Sequence, residues 1–169
     1  MDKIEKHVVL RAPVSRVWRA ITDAKEFGRW FGLKLDGEFA VGKAITGTFP
    51  AAMDEAMIIE AQKRAGVAPS KVKFPAPGSV FCTVERIEPE RLFSFRWIPY
   101  GVDAEIDPAS EPTTLVEFRL AAVPEGTALT IVESGFDRVP AHRRERALRM
   151  NDGGWAAQAE NVKKYVEAL

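Results

Sequence analysis

The sequence predicts an α+β domain in which a curved antiparallel β-sheet folds around a long C-terminal helix. Three observations lead to this prediction. Two short helical patterns follow the first strand, about six strand patterns come next, and the chain is helical in pattern from residue 138 to its end. A run of strands bounded by helices favours an antiparallel sheet with segregated helices over a βαβ alternation.

Composition limits the size and the partners of the protein. At 169 residues the chain fits one domain, residues 1–169, and is long enough to bury a sizeable core. The 24 Lys and Arg residues balance the 24 Asp and Glu residues, so no basic excess favours a nucleic-acid partner. A single cysteine, Cys82, excludes an intramolecular disulfide and a multi-cysteine zinc site.

Cysteine usage and hydropathy also bear on location. One cysteine fits a reducing compartment, and the N-terminus MDKIEKHVVLRAPV has no uncharged apolar core of signal-peptide length. No apolar run is long enough to span a bilayer. We therefore expect a cytoplasmic protein without membrane insertion.

The first third of the chain predicts a strand and two helices. Residues 3–11 alternate loosely and include β-branched side chains, which is typical of a strand, and Pro13 ends it. Apolar residues then recur at helical spacing from Val14 to Ile21. The Thr22-Asp23 pair offers a stop and an N-cap for a second short helix over residues 24–31.

The middle of the chain is less regular. Turn residues at Asp36-Gly37 and Val41-Gly42 indicate two short strands, over residues 33–39 and 44–49. Within residues 50–79 we predict a short helix over 53–64, followed by a proline-rich loop. Long loops in compact domains often act as lids, so the segment 53–79 is a candidate gate.

Four further strands are predicted over residues 79–88, 91–98, 113–123 and 126–136. Each has one apolar side, as where Val116, Phe118 and Leu120 alternate with charged residues.

The C-terminal helix has a single apolar face. Trp155, Ala159, Val162 and Val166 recur at helical spacing, and this face must pack against the sheet. We predict a separate short helix over residues 140–150. The Gly153-Gly154 pair should then kink the two pieces or let the second pass close to another backbone.

Five stretches of the sequence resemble a known superfamily. They cover residues 11–32, 84–97, 114–120, 129–137 and 151–166, the last reading NDGGWAAQAENVKKYV. In this order they are similar to the START-like helix-grip (SRPBCC) superfamily, and more narrowly to the branch named after the C-terminal domain of the heat-shock-protein-90 ATPase activator. The resemblance implies a sheet wrapped around the C-terminal helix, with a cavity between them that commonly takes apolar ligands.

Aromatic residues concentrate where this cavity is expected. Functionally they would line an apolar pocket with Tyr and Trp as polar handles, and the alternative is that they fill a core. The candidate ligand-binding residues are Trp30, Phe31, Phe95, Trp97, Tyr100, Phe118, Glu133, Phe136, Met150 and Trp155.

Glu133 is the one acidic residue among these candidates. It shares the register of Leu129 and Ile131, so its side chain should point toward the helix. A carboxylate there is costly unless it is paired or protonated, which makes it a functional acid or base, or half of a buried ion pair with Arg149 or Arg138. We expect surface or packing roles for His7, His142 and Cys82, and no metal or cofactor.

Several functions are compatible with these observations, because the same fold serves hormone receptors, polyketide aromatases and lipid carriers. The favoured hypothesis is a non-catalytic domain that binds a small apolar or amphipathic molecule. One alternative is an aromatase- or cyclase-like enzyme that uses Glu133 or Tyr100 as general acid or base. Another is an interaction module for a chaperone or a transcriptional partner, and a homodimer through a sheet edge or the long loops is compatible with each.

Overall fold

The computed structural model describes residues 2–168. In these residues seven strands form one antiparallel sheet in the order β1-β7-β6-β5-β4-β3-β2. The elements are β1 (Ile4–Leu10), α1 (Val14–Thr22), α2 (Ala24–Phe31), β2 (Lys34–Asp36), β3 (Ala44–Thr48), α3 (Glu55–Ala65), β4 (Ser79–Glu88), β5 (Leu92–Trp97), β6 (Thr114–Val123), β7 (Gly126–Ser134), a 3₁₀ turn (Phe136–Arg138) and α4 (Ala141–Glu167). The predicted α+β architecture, with two short helices after the first strand, is confirmed.

Local signals set the bounds of the first helices. The Asp23 side chain accepts a hydrogen bond from the Glu26 backbone N–H at 3.0 Å, which caps α2. Gly32 ends α2 with φ +97°, a conformation that glycine adopts without steric cost.

The sheet places the first strand beside the last one. β4 to β7 form a meander, and β1 pairs antiparallel with β7 so that Ile4 lies opposite Glu133 and Leu10 opposite Thr127. Irregular register within β3 and β4 bends the sheet, as β-bulges commonly do. Its concave face carries the inward side chains of β5, β6 and β7, and α4 packs on that side.

Helix α4 differs from its prediction. It runs without a break from Ala141 to Glu167, so the separate helix over 140–150 was wrong. Gly153 and Gly154 are exposed, and a Cβ atom on either would meet nothing within 4 Å, so they do not serve a close backbone approach. Buried residues on both sides of the pair, among them Leu148 and Trp155, hold the helix together, and this packing outweighs about 1 kcal/mol of lost propensity per glycine.

Two predicted elements are shorter or shifted. The strand expected over 33–39 is limited to Lys34–Asp36, and the helix expected over 53–64 is Glu55–Ala65. Asp54 caps that helix by accepting from the Met57 backbone N–H, and Gly66 ends it with φ +69°. No helix within residues 2–168 combines the length and apolarity needed to cross a bilayer.

Candidate functional site

The space between the sheet and α4 is filled with aromatic rings. Phe27 of α2, Phe118 of β6 and Trp155 of α4 are buried, and their ring centroids lie 6.2 Å (Phe27 to Phe118) and 5.7 Å (Phe118 to Trp155) apart. Phe95 of β5 lies 6.0 Å from Phe118. These are the spacings of packed aromatic pairs, so side chains occupy the interior where we expected an open cavity.

Three rings at the edge of this cluster are half-buried. Phe31 ends α2, Phe81 lies near the start of β4, and Trp97 ends β5. Their centroids are separated by 5.4 Å (Phe31 to Phe81), 5.6 Å (Phe81 to Trp97) and 6.1 Å (Phe31 to Trp97). We call these three residues the aromatic mouth, because all three are partly exposed and each ring contacts the other two. Phe39, also half-buried, contacts Phe27 and Phe93 instead.

Behind the mouth, Glu133 is buried with 0% exposure and accepts hydrogen bonds from four side chains. One carboxylate oxygen accepts from the indole N–H of Trp97 at 2.7 Å and from the Thr114 hydroxyl at 2.6 Å. The other accepts from the indole N–H of Trp155 at 2.8 Å and from the Asn151 amide at 2.9 Å. Glu133 thus ties β5, β6 and β7 to α4.

The predicted partners of Glu133 were wrong. Arg149 pairs with Glu145 at 2.8 Å on the helix surface, and Arg138 is exposed. The strand register correctly predicted that the Glu133 carboxylate points inward. Its hydrogen-bond partners there are four uncharged donors, and none of them is a cation.

Burial raises the pKa of Glu133, while the hydrogen bonds from Thr114, Trp97, Trp155 and Asn151 act in the opposite direction without cancelling the effect. The folded protein therefore binds a proton at Glu133 more tightly than the unfolded chain does. The stabilisation that this proton gives is complete below the ordinary pKa of 4.5 and is lost as pH rises through the folded-state pKa.

This linkage predicts how pH affects stability. The free energy of unfolding of the wild type, relative to that of Glu133→Gln, should fall as pH rises from 4.5, because the glutamine does not titrate. Urea unfolding of both proteins from about pH 4 to about pH 8 measures the difference. A relative stability that rises with pH would mean that the four donors outweigh burial, contrary to this expectation.

The other candidate residues divide into two groups. Trp30 belongs to the aromatic cluster, 5.8 Å from Phe31, and donates its indole N–H to the Ala20 carbonyl at 2.8 Å. Tyr100, Phe136 and Met150 are buried outside the mouth, on the β5–β6 loop, the 3₁₀ turn and the first half of α4. Burial raises the pKa of Tyr100, whose hydroxyl accepts from Gln62 at 3.0 Å.

Sequence reasoning missed several members of the site. Phe27, Phe39 and Phe81 also belong to the ring cluster, and the helical spacing of Phe27 with Trp30 and Phe31 was a signal that could have identified the first. Thr114 and Asn151 were not detectable, because their contacts with Glu133 join positions 19 and 18 residues apart.

The two histidines and the cysteine take no part in the site. His7 bonds Glu5 and Thr130 on the surface, and His142 is exposed. Burial raises the pKa of the Cys82 thiol to about 12, so it is an unreactive core residue. Among residues 2–168 no group of three His, Cys, Asp or Glu side chains is arranged to hold a metal ion.

Two surface depressions lie away from the mouth. One of about 370 Å³ is lined by Arg86, Glu88, Arg91, Leu92, Arg119 and Leu120. The other, of about 520 Å³, is lined by residues 11–13 and 123–126. Neither is lined by the aromatic cluster or Glu133.

One protein family matches almost the whole chain. A sequence profile described as "Activator of Hsp90 ATPase homolog 1-like protein" matches residues 11–167. A search of curated proteins gave no significant match.

Solved structures of similar fold cover nearly all of the chain. Protein MLL2253 from Mesorhizobium loti has 22% identity and a TM-score of 0.67, with 98% of this chain and 97% of that one covered. Aha1 from Colwellia psychrerythraea, a dimer in solution, has 16% identity and a TM-score of 0.62, with 99% and 97% covered. DynU16, from the dynemicin biosynthetic locus, has 23% identity and a TM-score of 0.65, with 99% of this chain but 48% of that one covered. At these identities the likeness is one of fold, the expected helix-grip.

Proposed function

We propose that this chain, which belongs to the family of Activator of Hsp90 ATPase homolog 1-like proteins, is a non-catalytic domain that binds a small apolar molecule at the aromatic mouth. The observation that carries this proposal is that Glu133 accepts hydrogen bonds from the indole N–H groups of both Trp97 and Trp155. Because the Trp97 N–H is bonded in this way, the mouth residues Phe31, Phe81 and Trp97 present only apolar ring surface.

The chemistry of the mouth favours an apolar or aromatic ligand. Offset and edge-to-face ring contacts add to the free energy of burying apolar area. Burial of about 300 Å² of apolar surface at about 25 cal/mol per Å² corresponds to about 7.5 kcal/mol, and because association itself costs free energy we expect a dissociation constant in the micromolar range or weaker. A ligand of this kind contacts the outer rings rather than an open chamber, because packed rings occupy the space behind them.

The same contacts argue against acid–base catalysis. The two oxygens of Glu133 together accept five hydrogen bonds from four side chains, so this carboxylate would have to give up a buried hydrogen bond before it could exchange a proton with a substrate. The Tyr100 hydroxyl accepts from Gln62 and is buried outside the mouth. The aromatase- or cyclase-like alternative therefore receives less support than ligand binding.

A titration with 8-anilinonaphthalene-1-sulfonate tests the binding proposal. Phe81→Ala should weaken binding of this probe about tenfold, because it removes one wall of the mouth without touching the hydrogen bonds of Glu133. Trp18→Ala is the matched control, since Trp18 is also half-buried but lies on α1, and its dissociation constant should match the wild type. The absence of a saturable signal, or equal affinities for wild type and Phe81→Ala, would overturn the proposal.

The family description also makes purified Hsp90 a partner to assay. We expect the ATPase rate of Hsp90 to be the same with wild type and with Phe81→Ala, because the proposed ligand site is not a chaperone contact. Stimulation by wild type that Phe81→Ala abolishes would assign the mouth to chaperone binding instead. A homodimer, as in the Colwellia protein, is a further proposal that light scattering can check.

A further inference from the structure

The segment between β3 and the strand-like contact at Val72 is held to the protein in an unusual way. In residues 50–70, which contain α3, Gln62 alone is buried, and every other residue is half-buried or exposed. Ile58, Ala61 and Ala65 pack partly against the core. We call residues 50–70 the α3 strap. Its one buried anchor is polar, so its attachment depends on hydrogen bonds more than on apolar burial.

Both ends of the α3 strap are fixed. β3 precedes it, and just after it Val72 forms a β-bridge with Asp103 while the Lys73 backbone N–H donates to the Val102 carbonyl at 2.7 Å. Between these ends, Arg149 of α4 reaches the Gly66 carbonyl at 3.3 Å from a half-exposed side chain. The strap therefore has two fixed ends, and an exposed arginine side chain is one of the contacts that hold the part between them.

Gln62 connects the strap to the β5–β6 loop. Its amide nitrogen donates to the Tyr100 hydroxyl at 3.0 Å and to the Ser70 carbonyl at 3.2 Å, and its amide oxygen accepts from the Ser70 backbone N–H at 3.3 Å. The bonds to Ser70 lie within the strap. Among the side-chain hydrogen bonds within residues 2–168, the bond to Tyr100 is thus the one that joins the buried side chain of the strap to another part of the protein.

Tyr100 holds a strained backbone conformation at this link. Its φ is +50°, which is unfavourable for a residue with a Cβ atom and persists only where neighbouring contacts enforce it. The Asp103 backbone N–H donates to the Tyr100 carbonyl at 3.0 Å and holds this turn, while the hydrogen bond from Gln62 holds the end of the tyrosine side chain.

We infer that the α3 strap is a lid over the apolar core beside α4, and that the hydrogen bond between Gln62 and Tyr100 is its latch. Opening uncovers the core surface under Ile58, Ala61 and Ala65. The latch does not depend on the proposed function, because the proposed ligand contacts the outer rings of the aromatic mouth.

Hydrogen exchange without ligand tests the latch. Gln62→Met keeps the side-chain length and removes the bond, and Tyr100→Phe removes the hydroxyl alone. Both should speed exchange of α3 backbone amides about tenfold while the amides of β5 to β7 keep wild-type rates. Lys63→Met, on the exposed side of the same helix, is the control and should leave α3 exchange unchanged.

Two outcomes would overturn the latch. One is wild-type exchange of α3 in Tyr100→Phe, and the other is equal acceleration in α3 and in the central strands, which would mean global destabilisation. If Gln62→Met does not fold, Tyr100→Phe alone decides.

Absence of 8-anilinonaphthalene-1-sulfonate binding to the wild type would contradict the proposed function and leave the exchange result standing.

Discussion

Glu133→Leu is expected to lower the free energy of unfolding by about 4 kcal/mol, measured by urea unfolding followed by circular dichroism. The substitution leaves the indole N–H groups of Trp97 and Trp155 without an acceptor, and each buried unsatisfied donor costs about 1–3 kcal/mol. It also disconnects α4 from three strands at one point.

The isosteric change distinguishes hydrogen bonding from packing. Glu133→Gln should cost about 2 kcal/mol, because the glutamine oxygen still accepts from one pair of donors while its amide faces the other pair. Glu117→Gln is the matched control, since Glu117 lies on the neighbouring strand and pairs with Arg119 on the outer face, and it should change stability by less than about 1 kcal/mol. If Glu133→Leu were as stable as the wild type, the carboxylate would not be holding the helix to the sheet.

The place of Glu133 illustrates what the sequence could and could not reveal. The alternation of Leu129, Ile131 and Glu133 predicted an inward carboxylate, because side-chain direction in a strand follows from local geometry. Its partners come from other strands and from the helix, and their approach depends on how the sheet curves. Strand periodicity carries no information on that curvature, so an arginine partner was predicted where indole groups are found.

For α4 and for the interior, too, the sequence predicted local features correctly and failed where tertiary packing decides. Trp155, Ala159, Val162 and Val166 predicted the buried face of α4 correctly. The break at Gly153-Gly154 was wrong because helix propensity counts for less than packing on both sides of the pair. The open interior was expected from the resemblance, but the volume inside a curved sheet depends on the rotamers of rings such as Phe27 and Phe118, which no sequence pattern fixes.

A second large effect is expected at Arg143, whose guanidinium is completely buried near the start of α4. It donates to Glu111 at 3.1 Å, to Asp103 at 3.4 Å and to the Pro99 carbonyl at 2.9 Å. Arg143→Met should lower the free energy of unfolding by about 4 kcal/mol, because it leaves buried carboxylates short of their cation. Urea unfolding measures this change.

Arg144→Met separates this effect from a general change in α4. Arg144 is the exposed neighbour of Arg143 and bonds the Val139 and Asp137 carbonyls, so its loss should cost less than about 1 kcal/mol. Arg143→Lys should recover little, because a single ammonium group cannot replace three donors directed at three acceptors.

The three acceptors of Arg143 all belong to the β5–β6 loop that carries Tyr100, so the substitution has a second consequence. With the loop less firmly held, Tyr100 is a weaker partner for Gln62, and amides of α3 should exchange faster than those of the sheet in Arg143→Met. Arg146 still binds Asp103 at 2.9 Å and limits the effect. Wild-type stability in Arg143→Met would mean that Arg146 alone neutralises the buried carboxylates, and that the loop keeps its position without the link to α4.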